Sequence, residues 1–275
     1  MDRARFLKTE AIVLKHFPLG EADRVLTLIT PQAGKVRAVA RGVRRPKSKL
    51  AGHLEPLTRT RVLIQRGRSM DTISQAETIE SNIEVRQDLW RMTCALYSAE
   101  LVERFSSEEQ EGEAIYRLLR ETITALAPSV HPELVGGETH WNPDITMRWF
   151  EVRLLDLSGF APELYRCLDC TADVLPSAHF FSASAGGVLC PSCRAKDSLA
   201  RPLSLNALKL LRLYSRGALQ TAQQVRLPPD LSVEVEHIMR QYLIHTLERE
   251  LKSTDFLDIL RRERLMEREA ASAAG

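Results

Sequence analysis

Four of the five cysteines in this chain of 275 residues stand in two pairs, each with a spacer of two residues. This spacer lets both sulfurs of a pair face one metal ion, and two such pairs supply the four thiolates of a tetrahedral site. Four thiolates leave no position for a water ligand, so a metal held this way is structural. We therefore predict one structural Zn²⁺ per chain, held by Cys167, Cys170, Cys190 and Cys193. A redox dithiol and disulfides are the alternatives.

The metal would fold a segment that is too short to bury a core unaided, residues 166–196. Gly186 and Gly187 precede the second pair and give the backbone the freedom that a metal knuckle needs. Cys94 stands alone, with no histidine or basic neighbour in sequence, and is interpreted as a small buried side chain.

A run of cations forms the second candidate site, because no acidic residue occurs from Val25 through Leu54. Cations on a strand and its following loop suit the phosphates of nucleic acid, and phosphate contacts carry little sequence information. Phe6 and Phe17 are the only aromatic residues among the first eighty, so we expect charge to dominate, with steep salt dependence and binding of single- and double-stranded DNA. The predicted DNA-binding residues are Lys35, Arg37, Arg41, Arg44, Arg45, Lys47 and Lys49.

The net charge of +2 is unevenly distributed. Residues 1–80 contain 16 Lys and Arg against 8 Asp and Glu, whereas the remainder contains 22 against 28. A basic module joined to a mildly acidic body suggests that the first part faces a polyanion. A solvated basic face without a partner is the alternative.

Catalytic motifs are lacking in the sequence: there is no P-loop, no Gly-x-Ser-x-Gly and no His-Glu-x-x-His, and the seven histidines are scattered. We therefore expect a protein that is not an enzyme. No run of eighteen uncharged apolar residues and no export signal is visible, which predicts a cytoplasmic protein without a membrane partner.

The first eighty residues show the short alternating runs and turn signals of strands. Five such runs predict a small barrel, of which the OB-fold is the commonest five-stranded form. The predicted strands are Thr9–Phe17, Val25–Thr30, Lys35–Arg41, Thr58–Gln65 and Thr72–Ile79.

Beyond residue 81 the apolar period changes to that of helices. The fold class is therefore α+β, with an N-terminal five-stranded OB-fold barrel, a mostly helical C-terminal body and an inserted zinc module with four cysteine ligands. Predicted helices are Val85–Phe105, Ala114–Leu126, Ile145–Leu157, Ser204–Arg216, Val233–Lys252 and Asp255–Leu260, with a loop at Pro128–Asp144. The predicted domains are the DNA-binding barrel 1–81, helical parts 82–165 and 197–261 around the zinc module 166–196, and a disordered tail 262–275.

Several stretches in order along the chain resemble the RecO family of DNA repair proteins. They are Thr9–Leu14, Gly20–Arg24, Ala40–Gly42 with Arg44–Ser48, Phe150–Leu155, Gly159–Leu164, Gly186–Cys190 and Tyr242–His245. Thr171 departs from the family, in which a glycine commonly follows the first cysteine pair.

The resemblance implies an OB-fold, a helical body and a zinc module. It also implies a nucleoid-associated mediator that partners RecR and single-strand-binding protein, anneals complementary strands and helps to load RecA, and it leaves the participation of RecF open. Three other interpretations stay open: a transcription factor that reads DNA with its zinc module, a metal-dependent nuclease or other enzyme, and a structural partner protein with an incidental basic face.

Overall fold

The structure, a computed structural model, describes residues 5–108, 112–127 and 142–248, together with residues 257, 259, 260 and 263. The chain divides into two compact units, Met1–Val130 with Leu251–Gly275, and His131–Glu250. Strands dominate the first part of the chain and helices the second, which confirms the α+β class. The finer domain boundaries drawn from the sequence stay a prediction.

Five strands close into a barrel in the first unit, in the order β1-β2-β3-β5-β4. The pairs are antiparallel except β3 with β5, which run parallel, and this confirms the predicted five-stranded barrel. The strands are β1 Phe6–Leu19, β2 Asp23–Thr30, β3 Gly34–Ala40, β4 Arg59–Gln65 and β5 Asp71–Glu80.

The period of two in β3 orients its side chains as the sequence predicts: Val36 and Ala38 lie in the barrel core, and Arg37 is exposed. Strand β1 is longer than predicted because its first half pairs with β4 and its second half with β2. A register shift between Val13 and Lys15 lets this one strand take part in both pairings.

The barrel is followed along the chain by helices α1 Ile83–Gln87, α2 Leu89–Phe105 and α3 Glu113–Leu126. The prediction of one continuous helix over Val85–Phe105 is wrong, because Asp88 adopts an extended backbone with φ −104° and ψ 119°. Its side chain accepts a hydrogen bond from the backbone N–H of Arg91 and so caps α2. Helix α2 packs against β1 and β2, which buries the outer as well as the inner face of much of β2.

The second unit contains helices α4 Pro143–Leu157, α5 Leu205–Arg216, α6 Leu219–Gln223 and α7 Pro229–Leu247. Ser204 caps α5 as predicted, since its hydroxyl accepts from the backbone N–H of Ala207. Helix α7 begins four residues earlier than predicted, at Pro229. Proline lacks a backbone N–H and suits the first turn of a helix, where the N–H groups have no intrahelical acceptor. No described helix is long and apolar enough to cross a membrane.

A three-stranded sheet in the order β7-β6-β8 also belongs to this unit, and the sequence patterns did not predict it. Its strands are β6 His179–Ser182, β7 Gly187–Leu189 and β8 Arg201–Leu203. Some predictions fall outside the described residues: the loop 128–141, the end of the last long helix beyond 248, and most of the helix 255–260 and of the tail 262–275.

Candidate metal centre and nucleic-acid interface

Cys167, Cys170, Cys190 and Cys193 converge in the second unit, with their four Sγ atoms all within 4.8 Å of one another. The Sγ atoms of Cys170 and Cys190 are 3.8 Å apart. Zinc–sulfur bonds of about 2.3 Å in a tetrahedron require sulfurs about 3.8 Å apart, so the donor set fits one such ion. In the described part of the chain, this is the one group of three or more His, Cys, Asp or Glu residues close enough to share a metal.

The close approach of the Glu163 backbone to the segment before the second cysteine pair explains why residue 187 is a glycine. A Cβ at this position would lie 2.4 Å from the carbonyl oxygen of Glu163, so only glycine fits between the two segments. The preceding Gly186 has φ +86°, the left-handed region that glycine adopts freely. Both glycines predicted to shape the knuckle are therefore required, one for close approach and one for its dihedral angle.

Thr171 follows the first pair with φ +59°, which a β-branched residue rarely adopts. Its N–H donates to the carbonyl oxygen of Cys167 at 2.9 Å, which closes the first knuckle. Glycine would adopt this conformation without strain.

The environment of the sulfurs favours the thiolate form that binds metal at Cys167. Burial raises the pKa of this thiol, but backbone N–H groups of Cys190, Cys170 and Asp169 donate to its sulfur and lower the pKa to about 6. At Cys193, the neighbouring Asp169 carboxylate raises the pKa. Four thiols cannot all ionise side by side without a compensating positive charge, and a divalent cation supplies that charge.

Six of the seven predicted DNA-binding residues are exposed and lie on β3 or the loop that follows it. We call this set the basic stripe: Arg37, Arg41, Arg44, Arg45, Lys47 and Lys49. The loop is fixed at its start, since the backbone N–H of Gly42 donates to the Asp23 carboxylate at 2.7 Å. Arg44 is also anchored, because its backbone N–H donates to the Ala22 carbonyl oxygen at 2.9 Å.

Several cations elsewhere on the barrel are paired with carboxylates, and those of the basic stripe are not. Arg59, for example, lies 2.7 Å from a carboxylate oxygen of Glu10 and also pairs with Glu80. Carboxylates likewise pair with Lys15, Arg24, Arg61 and Arg66. Among the described residues, none provides a carboxylate within 4.0 Å of the basic stripe, so its charge is available to an external anion.

Lys35 differs from the other six predicted residues. It is half-buried, and its ammonium group donates to the carbonyl oxygen of Glu103 at 2.8 Å, in the last turn of α2. Burial lowers the pKa of Lys35, whereas the carboxylates of Glu103 and Glu108 act to raise it. A cation at this position satisfies a helix carbonyl that has no intrahelical partner and complements the helix dipole.

Replacement of Lys35 by methionine is expected to lower stability by about 1 kcal/mol, since it removes this cap while keeping the aliphatic stem. Thermal denaturation measures the change, and fluorescence anisotropy with labelled DNA shows whether affinity changes. Arg37→Met, two residues away on the same strand, is the matched control and should weaken DNA binding without lowering the melting temperature. Equal losses of affinity for both variants at unchanged stability would assign Lys35 to DNA instead.

Exposed aromatic side chains on the barrel are the feature that sequence reasoning undervalued. Phe17 is 40% exposed and Phe6 is 47% exposed, both on β1. Their small number led to the expectation of binding through charge, but alternation along β1 alone could not show which face either ring occupies, because of the register shift between them.

Two protein families and several known proteins match this chain over most of its length. The family described as Recombination protein O N terminal matches residues 1–82, and that described as Recombination protein O C terminal matches residues 86–255. The DNA repair protein RecO of Roseiflexus sp. (strain RS-1) is 39% identical over 94% of this chain and 87% of its own length. Its counterparts are 34% identical in Dehalococcoides mccartyi strain 195, over 96% and 100%, and 37% identical in Symbiobacterium thermophilum, over 93% and 98%.

Proposed function

Because the chain belongs to the RecO family of DNA repair proteins and thus has a role in DNA repair and recombination, we propose that it is a mediator that binds single- and double-stranded DNA and anneals complementary strands. The observation that carries the proposal is the unpaired charge of the basic stripe. Six exposed cations on β3 and its loop have no carboxylate partner among the described residues, whereas neighbouring barrel cations do. Phosphates are the anions that such an array suits.

Annealing follows physically from neutralisation of phosphate charge. Two complementary strands repel one another through their backbones, and cations bound to one strand reduce that repulsion. Base pairing then supplies the free energy of the product, so the step needs no nucleotide hydrolysis and no catalytic residue. We accordingly propose a protein that is not an enzyme.

The four cysteines are proposed to hold one Zn²⁺ with a structural role. When bound, the ion would supply four metal–thiolate bonds and no open position for a substrate. The chain's own contribution is the knuckle backbone, with Gly187 against Glu163 and the Cys190 N–H donating to the Cys167 sulfur at 3.3 Å. The segment between the pairs, residues 171–189, contains no Lys or Arg, which argues against the zinc module as a reader of DNA.

Family membership also supports a set of partners. We propose that the protein works with RecR on DNA coated by single-strand-binding protein, in the bacterial nucleoid, and helps to load RecA. An annealing assay on DNA coated with single-strand-binding protein, run with and without RecF, tests whether RecF takes part.

The decisive experiment is annealing of complementary strands that are coated with single-strand-binding protein. The wild-type protein is expected to accelerate annealing, and the variant in which Arg44 and Arg45 are both changed to Glu is expected to lose the acceleration. Cleavage of labelled DNA in the presence of magnesium or manganese would instead show a nuclease. A footprint at one preferred sequence would show a transcription factor. The absence of a mobility shift at low salt would show a structural partner protein.

A further inference from the structure

A short apolar row crosses strands β1, β2 and β3 on the outer side of the barrel; of its three residues, Phe17 is exposed, whereas Val25 and Val39 are buried. Phe17 lies opposite Val25, and Val25 lies opposite Val39. Residues directly opposite in neighbouring strands share a face of the sheet. Leu26 and Leu28 of β2 lie in the barrel core, so the alternate residue Val25, and with it this row, faces outward.

Cations flank the row on both sides. On one side, Lys15, Thr27 and Arg37 form the next outward row across the same three strands. On the other side, Arg41 follows directly after the last residue of β3 and is exposed. Successive residues on one face of a strand are about 7 Å apart, so Val39 of the row lies between Arg37 and Arg41, two of the four arginines of the basic stripe, at roughly that spacing along β3.

The phenyl ring of Phe17 is available for contact. It is 40% exposed, and Leu19, two residues further along the same strand, is 44% exposed. Within the described part of the chain, no aromatic ring stacks on Phe17 and no guanidinium lies over it, whereas the guanidinium of Arg5 lies 5.7 Å from the ring centre of Phe6. A single exposed apolar residue is ordinary. Phe17, however, lies in a row that Arg37 and Arg41 flank on β3, and neither arginine is paired with a carboxylate in the described part of the chain. An exposed ring near such cations matches the plan of single-strand-binding surfaces.

We infer that Phe17 is a stacking platform for a nucleobase of single-stranded DNA, with Arg37 and Arg41 contacting the backbone phosphates on either side. The inference rests on the proposed function and deepens it, because the basic stripe alone does not distinguish single from double strands. Bases in a duplex are stacked on one another, so their faces are closed to the ring. Phe17 therefore adds affinity for single strands and none for duplexes.

The test compares Phe17→Ala with wild-type protein on three ligands: a thymidine oligonucleotide, an abasic oligonucleotide of the same length and a duplex. The variant is expected to bind the thymidine strand at least about fivefold more weakly, with an unchanged salt slope, because stacking involves no counterion release. Affinities for the abasic strand and the duplex should not change. Phe17→Trp should retain wild-type affinity, because its ring stacks as well.

Phe6→Ala is the matched control, since Phe6 is similarly exposed on β1 but lies at its other end, opposite Gln65 of β4. It should leave all three affinities unchanged. Wild-type affinity of Phe17→Ala for the thymidine strand, or an equal loss on the abasic strand, would overturn the platform while leaving DNA binding intact. Failure of the wild-type protein to bind any of the three ligands at low salt would overturn the proposed function instead.

Discussion

Cys193→Ala is expected to abolish stoichiometric metal binding and to unfold residues 166–196. The apolar cluster that includes cysteines of this segment is small: Leu189 and Ala200 are buried with Cys167 and Cys193, and Phe180 packs against them. In zinc-finger peptides the apparent free energy of metal binding is about 10–16 kcal/mol, and it is also the free energy of folding. Loss of one of four thiolates removes a large part of it. Metal analysis and thiol titration of the reduced protein measure the effect.

Cys94→Ala is the control for this prediction. Cys94 is fully buried in α2, in the other compact unit, so its removal leaves the four sulfurs in place. This variant should keep one zinc per chain, and rapid thiol titration should find the four cysteines protected. One metal per chain bound with unchanged affinity by Cys193→Ala, or no metal in the wild-type protein, would contradict a metal site of four cysteines. A wild-type protein that holds no metal and whose cysteines are oxidised would favour a disulfide or a redox dithiol.

Reversal of Arg44 and Arg45 to Glu should weaken DNA binding more than about tenfold at low salt, because it replaces two cations at the phosphate surface with two anions. Both side chains are exposed, and the loop is held through backbone groups at Gly42 and Arg44, so the fold should persist. If the wild-type protein engages about five phosphates, log K should fall against log salt with a slope of roughly −3.5 for single strands. The variant should show a shallower slope in the same anisotropy titration.

A matched reversal on helix α3, Arg117→Glu with Arg120→Glu, changes the net charge by the same amount. These two arginines are 70% and 46% exposed and lie beside Glu113 and Glu80, respectively. We expect at most a small loss of affinity, through long-range repulsion. Equal losses for the two double variants would mean that overall charge, and not the loop after β3, governs binding.

The sequence was sufficient for the local features of both candidate sites. The spacing of the cysteine pairs identified four metal ligands because a two-residue spacer has few other structural uses, and the structure brings their sulfurs together. Strand periodicity and turn residues identified the barrel, since each short run must bury one face. The break before α2 escaped notice because Asp88 caps a helix inside a continuous apolar pattern, and a pattern of buried residues does not report backbone dihedral angles.

The residue types and their spacing therefore specify chemistry: four cysteines in pairs, a run of cations without carboxylates, and the alternation typical of strands. Which of these groups are available for binding depends on how the chain folds. Lys35 and Arg37 are both cations on the same face of the predicted strand. In the structure, however, the ammonium of Lys35 donates to a carbonyl oxygen at the end of α2, whereas Arg37 stays exposed. The register of β1 on β2 likewise turns Phe17 outward beside the cations. Pairing partners and burial depend on segments distant in sequence, and no local pattern carries that information.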